Sequence, residues 1–232
     1  MRRSISSLLI LFLLLTNAFA LIASSPELVD AVEPYVAHLK LKPEHLRALA
    51  DKLAVARALP SDNDKEMAAV GVAMADATPD AYVESYKTLA TFQQNPYIVA
   101  SGRFGDKPES FIYWAKQKFG DLKPVINVVH FLIHHDGNRV YIASKQLYST
   151  HYTEAGLSVA ELIPFADGQG QARTIVIYTI RLQVDMLGGS FGFMKKRLAQ
   201  PRILGTLRAS LNGMRLTMER LSGTSLQNRG GS

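Results

Sequence analysis

Within the stretch Arg173–Met186, apolar side chains take every second position from Val176 on without a gap: Val176, Tyr178, Ile180, Leu182, Val184 and Met186. Side chains alternate sides along a strand, so this set makes one continuous apolar face. Ile175, Ile177, Thr179, Arg181, Gln183 and Asp185 make the other, which begins apolar and turns polar. Arg181 and Asp185 then share a side about 13 Å apart, at about 3.3 Å per residue. They are either the wet face of a half-covered antiparallel sheet or groups at the mouth of a pocket. A strand this long with one unbroken apolar face must be covered, and the chain supplies a cover directly after it. Gly188-Gly189-Ser190-Phe191-Gly192 ends the sheet, with Ser190 as an N-cap. A helix follows over Phe193–Leu221, bent or broken at Pro201. Its Leu204, Leu207, Leu211, Met214, Met218 and Leu221 recur at spacings of three and four, an apolar stripe that has to pack on the sheet.

The stretch before it reads as sequential hairpins, hence an antiparallel sheet. Val125–Ile133 is apolar and β-branched, as in a strand covered on both sides. Asp136-Gly137 between apolar runs marks a turn, and Val140–Tyr148 returns. A two-residue loop at Asp136-Gly137 would set His130 opposite Ala143. After a break at Thr153–Gly156 come a strand from Leu157 to Phe165, the loop 167–171 and the long last strand. Phe111–Trp114 and Pro96–Phe104 read as strands on the upstream side.

At the start, Met1-Arg2-Arg3, the apolar Leu8–Leu15 and Ala18-Phe19-Ala20 match a secretory signal peptide cut after Ala20. The apolar run, interrupted by Thr16 and Asn17, is short for a span of about 20 residues. The expected location is therefore periplasmic or secreted. With no cysteine in the chain, there is no disulfide, and stability rests on the core that roughly 210 remaining residues can bury. Residues 21–95 read as a helical N-terminal part: Pro26 to His38, a helix from Lys42-Pro43-Glu44 that takes in Leu53 and Val55, an Ala/Met-rich helix over Lys65–Ala77, and one from Asp80 to Gln93 behind Thr78-Pro79. Residues 96–222 form the α+β domain, and 223–232 a disordered tail.

Net charge is +6, falling to +4 when two arginines leave with the leader. The excess gathers at the end, where Lys195, Lys196, Arg197, Arg202, Arg208, Arg215, Arg220 and Arg229 face Glu219 alone. Such a run is a solvated helix face or a contact for anionic phospholipid, at about 1 kcal/mol per residue near a charged leaflet. Nucleic acid is excluded for an exported chain whose basic residues are not interleaved with aromatics.

Six histidines raise metal and acid–base chemistry. His134 and His135 are consecutive on a strand end and point apart. His130 sits in an apolar strand and needs a partner or a cavity. His151 lies beside Tyr152 and Glu154, about 26 Å along the ladder from His130 at about 3.3 Å per residue, too far to share an ion. His151 oriented by Asp185 or Glu154 would serve as a general base. The chain has no nucleophile elbow, cysteine nucleophile, metalloprotease motif or phosphate loop, and calls for no cofactor or metal. Lys145, also in an apolar strand, pairs with Asp185 or Glu161 or reaches outward.

The segment Trp114-Ala-Lys116, Phe119-Gly120, Lys123-Pro124, His130, Ser144-Lys145-Gln146-Leu147-Tyr148-Ser-Thr-His151-Tyr152, Arg181, Asp185 and Gly188-Gly189 resembles an uncharacterised family of secreted bacterial proteins. The likeness covers residues 110–215. The strand–glycine–helix order is similar to the START-like, or helix-grip, superfamily, whose members fold a curved sheet around a helix and hold a lipid or other hydrophobe between them. The expected protein is thus α+β: an antiparallel curved sheet gripped by a long C-terminal helix, with an N-terminal helical part. It would bind an apolar or amphipathic small molecule, lipids included, with Trp114, His130, Lys145, Tyr148, His151, Tyr178, Arg181, Asp185 and Met214 at the site. A non-enzymatic envelope protein with a filled core is the second reading, and an enzyme using His151 and Asp185 the third.

Overall fold

The computed structural model describes Tyr35 and residues 39–88, 97–105, 107–118, 121, 123–187 and 192–229. The expected leader and most of the Pro26–His38 helix lie outside them. Among the described residues eight strands form one antiparallel sheet: β1 (Val55–Leu59), β2 (Glu66–Ala75), β3 (Ile98–Phe104), β4 (Ser110–Gln117), β5 (Val125–Asp136), β6 (Arg139–Ser149), β7 (Thr153–Ala166) and β8 (Ala172–Val184). Their order across the sheet is β1-β2-β8-β7-β6-β5-β4-β3. Helices α1 (Pro43–Ala50) and α2 (Pro79–Lys87) flank the first hairpin, and α3 (Gly192–Arg229) closes the chain after a 3-10 turn at Asp185–Leu187.

The Lys65–Ala77 segment, expected as a helix, is strand β2, and Val55 opens β1 instead of extending α1. Every residue from Met67 to Ala75 is buried. A run apolar at all positions carries no period, so helix and strand look alike in sequence. What decides is long-range pairing: β2 lies against β8 from Glu66↔Gln183 to Ala75↔Thr174, which overrides the helix propensity of Ala and Met. The hairpin expected at Asp136-Gly137 is also shifted. Its loop is Gly137-Asn138, with Gly137 at φ 58°, and Asp136 pairs with Arg139, so His130 faces Lys145 rather than Ala143. Thr153–Gly156, expected as a break, belongs to β7 and carries a register shift against β8.

Alternation gives the sheet two different faces. On the inner face Phe131, Ile142, Leu162 and Val176 form one core with Leu207, Leu211, Met214 and Met218 of α3. On the outer face Val70, Val72, Met74, Ile175 and Ile177 pack with Leu39 and with Leu49 of α1. Of the α3 stripe, Leu207, Leu211, Met214 and Met218 are buried and Leu204 and Leu221 half-buried, each fully buried side chain contributing about 1.5–3 kcal/mol. The helix runs unbroken through Pro201, which is exposed, so water can reach the carbonyl that the proline leaves without a donor. It continues to Arg229, so residues 223–229, expected as tail, are helical.

The seat of α3 on the sheet is Gly71. A Cβ there would lie 2.4 Å from Leu211 Cδ1 and 3.2 Å from Leu207 Cγ. Glycine in a strand interior thus marks a close approach by the helix. Gly71→Val is expected to destabilise the fold by about 1–3 kcal/mol in urea unfolding through overpacking. Gly205→Ala, at a helix position with open space around it, is expected to stabilise by about 0.5–1 kcal/mol.

Candidate functional cavity

A cavity of about 260 Å³ lies between α3, β8 and α2, lined by Tyr86, Tyr178, Ile180, Ile203, Thr206, Leu207, Ser210, Leu211 and Met214. Three local features create it. Helix α2 starts at Thr78-Pro79, where the fixed φ of proline suits the first helical position. Four-residue spacing then puts Tyr82 and Tyr86 on one buried face, their rings stacked at 5.1 Å. Tyr178 lies on the inner face of β8 between the small residues Gly71 and Ala160. Gly71 draws Leu207 and Leu211 down onto β2, and the space beside that contact, over Tyr178 and Ile180, is left open.

Among the described residues no charged side chain lines the cavity; the polar groups are hydroxyls. Thr206 and Ser210 are exposed and mark the mouth. The Tyr82 and Tyr86 hydroxyls are 3.4 Å apart. Burial pushes the phenols of Tyr82, Tyr86 and Tyr178 upward, and neighbouring phenols add to the rise for Tyr82 and Tyr86. Ser158 hydrogen-bonds the Tyr178 phenol and opposes its rise. The Ser158 hydroxyl in turn lies 2.6 Å from that of Ser144.

Of the residues singled out in sequence, Tyr178 and Met214 line the cavity. The strand residues Trp114, His130, Lys145, Tyr148 and Arg181 do not. The register puts them on the outer face: Phe131 and Ile180 belong to the inner core, so His130 and Arg181 next to them point away, and pairing carries Lys145, Trp114 and Tyr148 to the same side. Trp114 lies over its cross-strand neighbour Gly102, where a Cβ would come 2.5 Å from Nε1. His130 Nε2 is 2.9 Å from Ser110 Oγ, which supplies the partner a strand histidine needs. Tyr148 and Lys145 are exposed. Arg181 donates to Glu66 at 2.9 Å, and Ser61 also bonds Glu66; these contacts, the serine first, hold the Glu66 carboxyl below its ordinary range. Glu161 is engaged by Arg139 at 3.0 Å and by Tyr35 at 2.7 Å, not by Lys145.

The pairing of His151 with Asp185 is not formed. His151 is exposed in the β6–β7 turn, its ring 5.7 Å from that of Tyr152. Asp185 bonds Glu154, which also pairs with Lys65 at 2.9 Å. Desolvation, then Glu154, raises the Asp185 carboxyl, whereas Lys65 first and Asp185 second lower that of Glu154. Among the described residues no three His, Asp or Glu side chains gather as a metal site. Tyr86 and the Ser144–Ser158 pair were missed in sequence. The four-residue spacing of Tyr82 and Tyr86 was the available signal for the first; the serines needed the strand register.

Comparison with solved structures finds this architecture in the STAR-related lipid transfer protein (fragment 25–204) of Xanthomonas axonopodis, with a TM-score of 0.55 and 16% identity over 72% of this chain and 93% of that one. Human STARD10 gives 0.50 at 8% identity, covering 75% and 74% of the two chains. The Zhui aromatase/cyclase of Streptomyces sp. R1128 gives 0.50 at 12%, covering 67% and 94%. Likeness at these identities shows the fold: a START-like helix grip. No protein-family model matches the chain, and a search of curated proteins finds no match.

The buried phenols predict the alkaline behaviour. A phenol raised in the folded state contributes stability that is whole below its unfolded value and is lost as pH rises through the folded one. Tyr35, pushed from 10.0 to about 12 by burial and then by Glu161, acts in that window. Stability should therefore fall between about pH 10 and 12, less steeply in Tyr35→Phe. Phenolate absorbance should show Tyr82, Tyr86 and Tyr178 ionising only as the protein unfolds.

Proposed function

We propose that the protein is an exported, non-catalytic binding protein that holds an apolar or amphipathic small molecule between its C-terminal helix and its sheet. The observation that carries the reading is the cavity: about 260 Å³, walled by aliphatic and aromatic side chains, with hydroxyls as its only polar side-chain groups. Water fits poorly in such a space, whereas an apolar cavity of about 150 Å³ suffices for benzene. A concave, largely apolar site with a few placed polar groups is the usual form of a small-molecule pocket. The helix-grip fold supports the same reading, since the Xanthomonas protein that shares it is described as a lipid transfer protein. Export rests on the signal-peptide pattern of residues 1–20 and on the likeness of Ser144–Tyr152 to a secreted bacterial family.

The first turns of α3 favour peripheral contact with an anionic membrane. Met194 and Leu198 are 56% and 72% exposed, and Lys195, Arg197 and Arg202 are exposed beside them. The stripe leads directly to Ile203 and Thr206 at the cavity. Among the described residues no helix is long and apolar enough to cross a membrane, so the contact would be at the surface.

Native mass spectrometry of protein purified from its host without detergent should show an adduct that solvent extraction removes, reduced in Ile203→Trp, which narrows the cavity. A uniformly ligand-free protein would contradict the carrier. Co-sedimentation with phosphatidylglycerol vesicles should fall with added salt and drop about fivefold or more for each of Lys195→Glu and Arg202→Glu, in line with about 1 kcal/mol per basic residue. Equal binding to phosphatidylcholine vesicles would contradict membrane contact through this stripe.

A further inference from the structure

We propose that the inner wall of the cavity is a hydroxyl clamp for one neutral oxygen, so that the ligand is a compact uncharged molecule bearing a carbonyl or hydroxyl rather than a fatty-acid anion or a phospholipid. The inference rests on the reading of the cavity as a ligand site and narrows its ligand class.

Size limits the ligand first. Scaling from an apolar cavity of about 150 Å³ that takes up benzene, the space admits on the order of ten non-hydrogen atoms. A diacyl phospholipid is several times larger. Charge limits it next. The nine lining residues include no Lys, Arg, His, Asp or Glu. An ionised group held there would lose its hydration with no counter-charge in return, which strongly disfavours it.

The phenols then select what remains. Tyr86 and Tyr178 line the cavity from two different elements, and each is backed by another hydroxyl. Tyr82 stands behind Tyr86, their hydroxyls 3.4 Å apart. Ser144 and Ser158 stand behind Tyr178, joined at 2.6 Å. A hydroxyl has one donor and two acceptor positions. The Tyr178 phenol, whose rise Ser158 opposes, lines the cavity and brings these positions to it. Burial keeps both phenols protonated across the physiological range, so the donor is permanent. The series Ser144–Ser158–Tyr178 runs across three neighbouring strands and meets the Tyr82–Tyr86 pair at the cavity. That convergence suits a carbonyl or hydroxyl oxygen, which takes up the donors without bringing a charge.

Three probes of matched size separate the possibilities by isothermal titration calorimetry: benzylacetone (neutral oxygen), butylbenzene (no oxygen) and phenylbutyrate (anion). The protein is expected to bind benzylacetone about fivefold or more tighter than butylbenzene, the effect of one net hydrogen bond, and phenylbutyrate most weakly. In Tyr178→Phe the preference for benzylacetone over butylbenzene should vanish. Tyr86→Phe serves as a second variant, with thermal unfolding checking that each is folded. Butylbenzene and benzylacetone binding equally, phenylbutyrate binding tightest, or a preference for benzylacetone that survives both substitutions would overturn the clamp and leave the binding cavity standing. No heat with any probe would overturn both.

Discussion

Leu211 resting on Gly71 is the contact on which the rest depends. Only a residue without Cβ lets the helix settle this close to β2, since the missing atom would stand 2.4 Å from Leu211 Cδ1. That fixes α3 over the β1–β2 side of the inner face, where Leu207, Leu211, Met214 and Met218 become core. The rings of Tyr86 and Tyr178 then stand beside the helix rather than beneath its closest point, and they frame the cavity. A close contact in one place and an open space next to it are two results of one placement.

The sheet divides its labour by alternation. Its inner face near the cavity is neutral and apolar, with hydroxyls as the polar exceptions. Its outer face carries the ionised groups, including Arg181 with Glu66 and Arg139 with Glu161. Tyr35 and the Leu39 and Leu49 side chains cover that outer face near Glu161 and Ile177. Keeping charge on one side leaves the other able to exclude water, which a site for an uncharged molecule requires.

Much of this was legible in the residues. The unbroken alternation from Val176 to Leu182 identified the inner face of β8, and the spacing of Leu207, Leu211, Met214 and Met218 identified the helix that covers it. Strand β2 was not legible, because a run buried on both sides has no period and its Ala and Met favour helix in isolation. The hairpin register was missed by moving the loop one residue too early, which shifts every pair by two and keeps each side chain on its proper face. The site was half legible. Tyr178 and Arg181 are three positions apart, an odd offset, so a regular strand cannot turn both toward one cavity. Grouping them in one pocket overlooked a rule already present in the sequence. The hydroxyls of Ser144 and Ser158 meet only because β6 and β7 pair in one register, information that no single stretch carries.

The space between α3 and β8 is the proposed seat of a guest. Methyl NMR of Met- and Ile-labelled protein titrated with butylbenzene tests it most directly. Saturable shifts are expected at Met214, Ile180 and Ile203, which line the cavity, and none at the outer-face Ile112 and Ile177. Unchanged signals at the three lining residues, or shifts centred on the outer face, would contradict it.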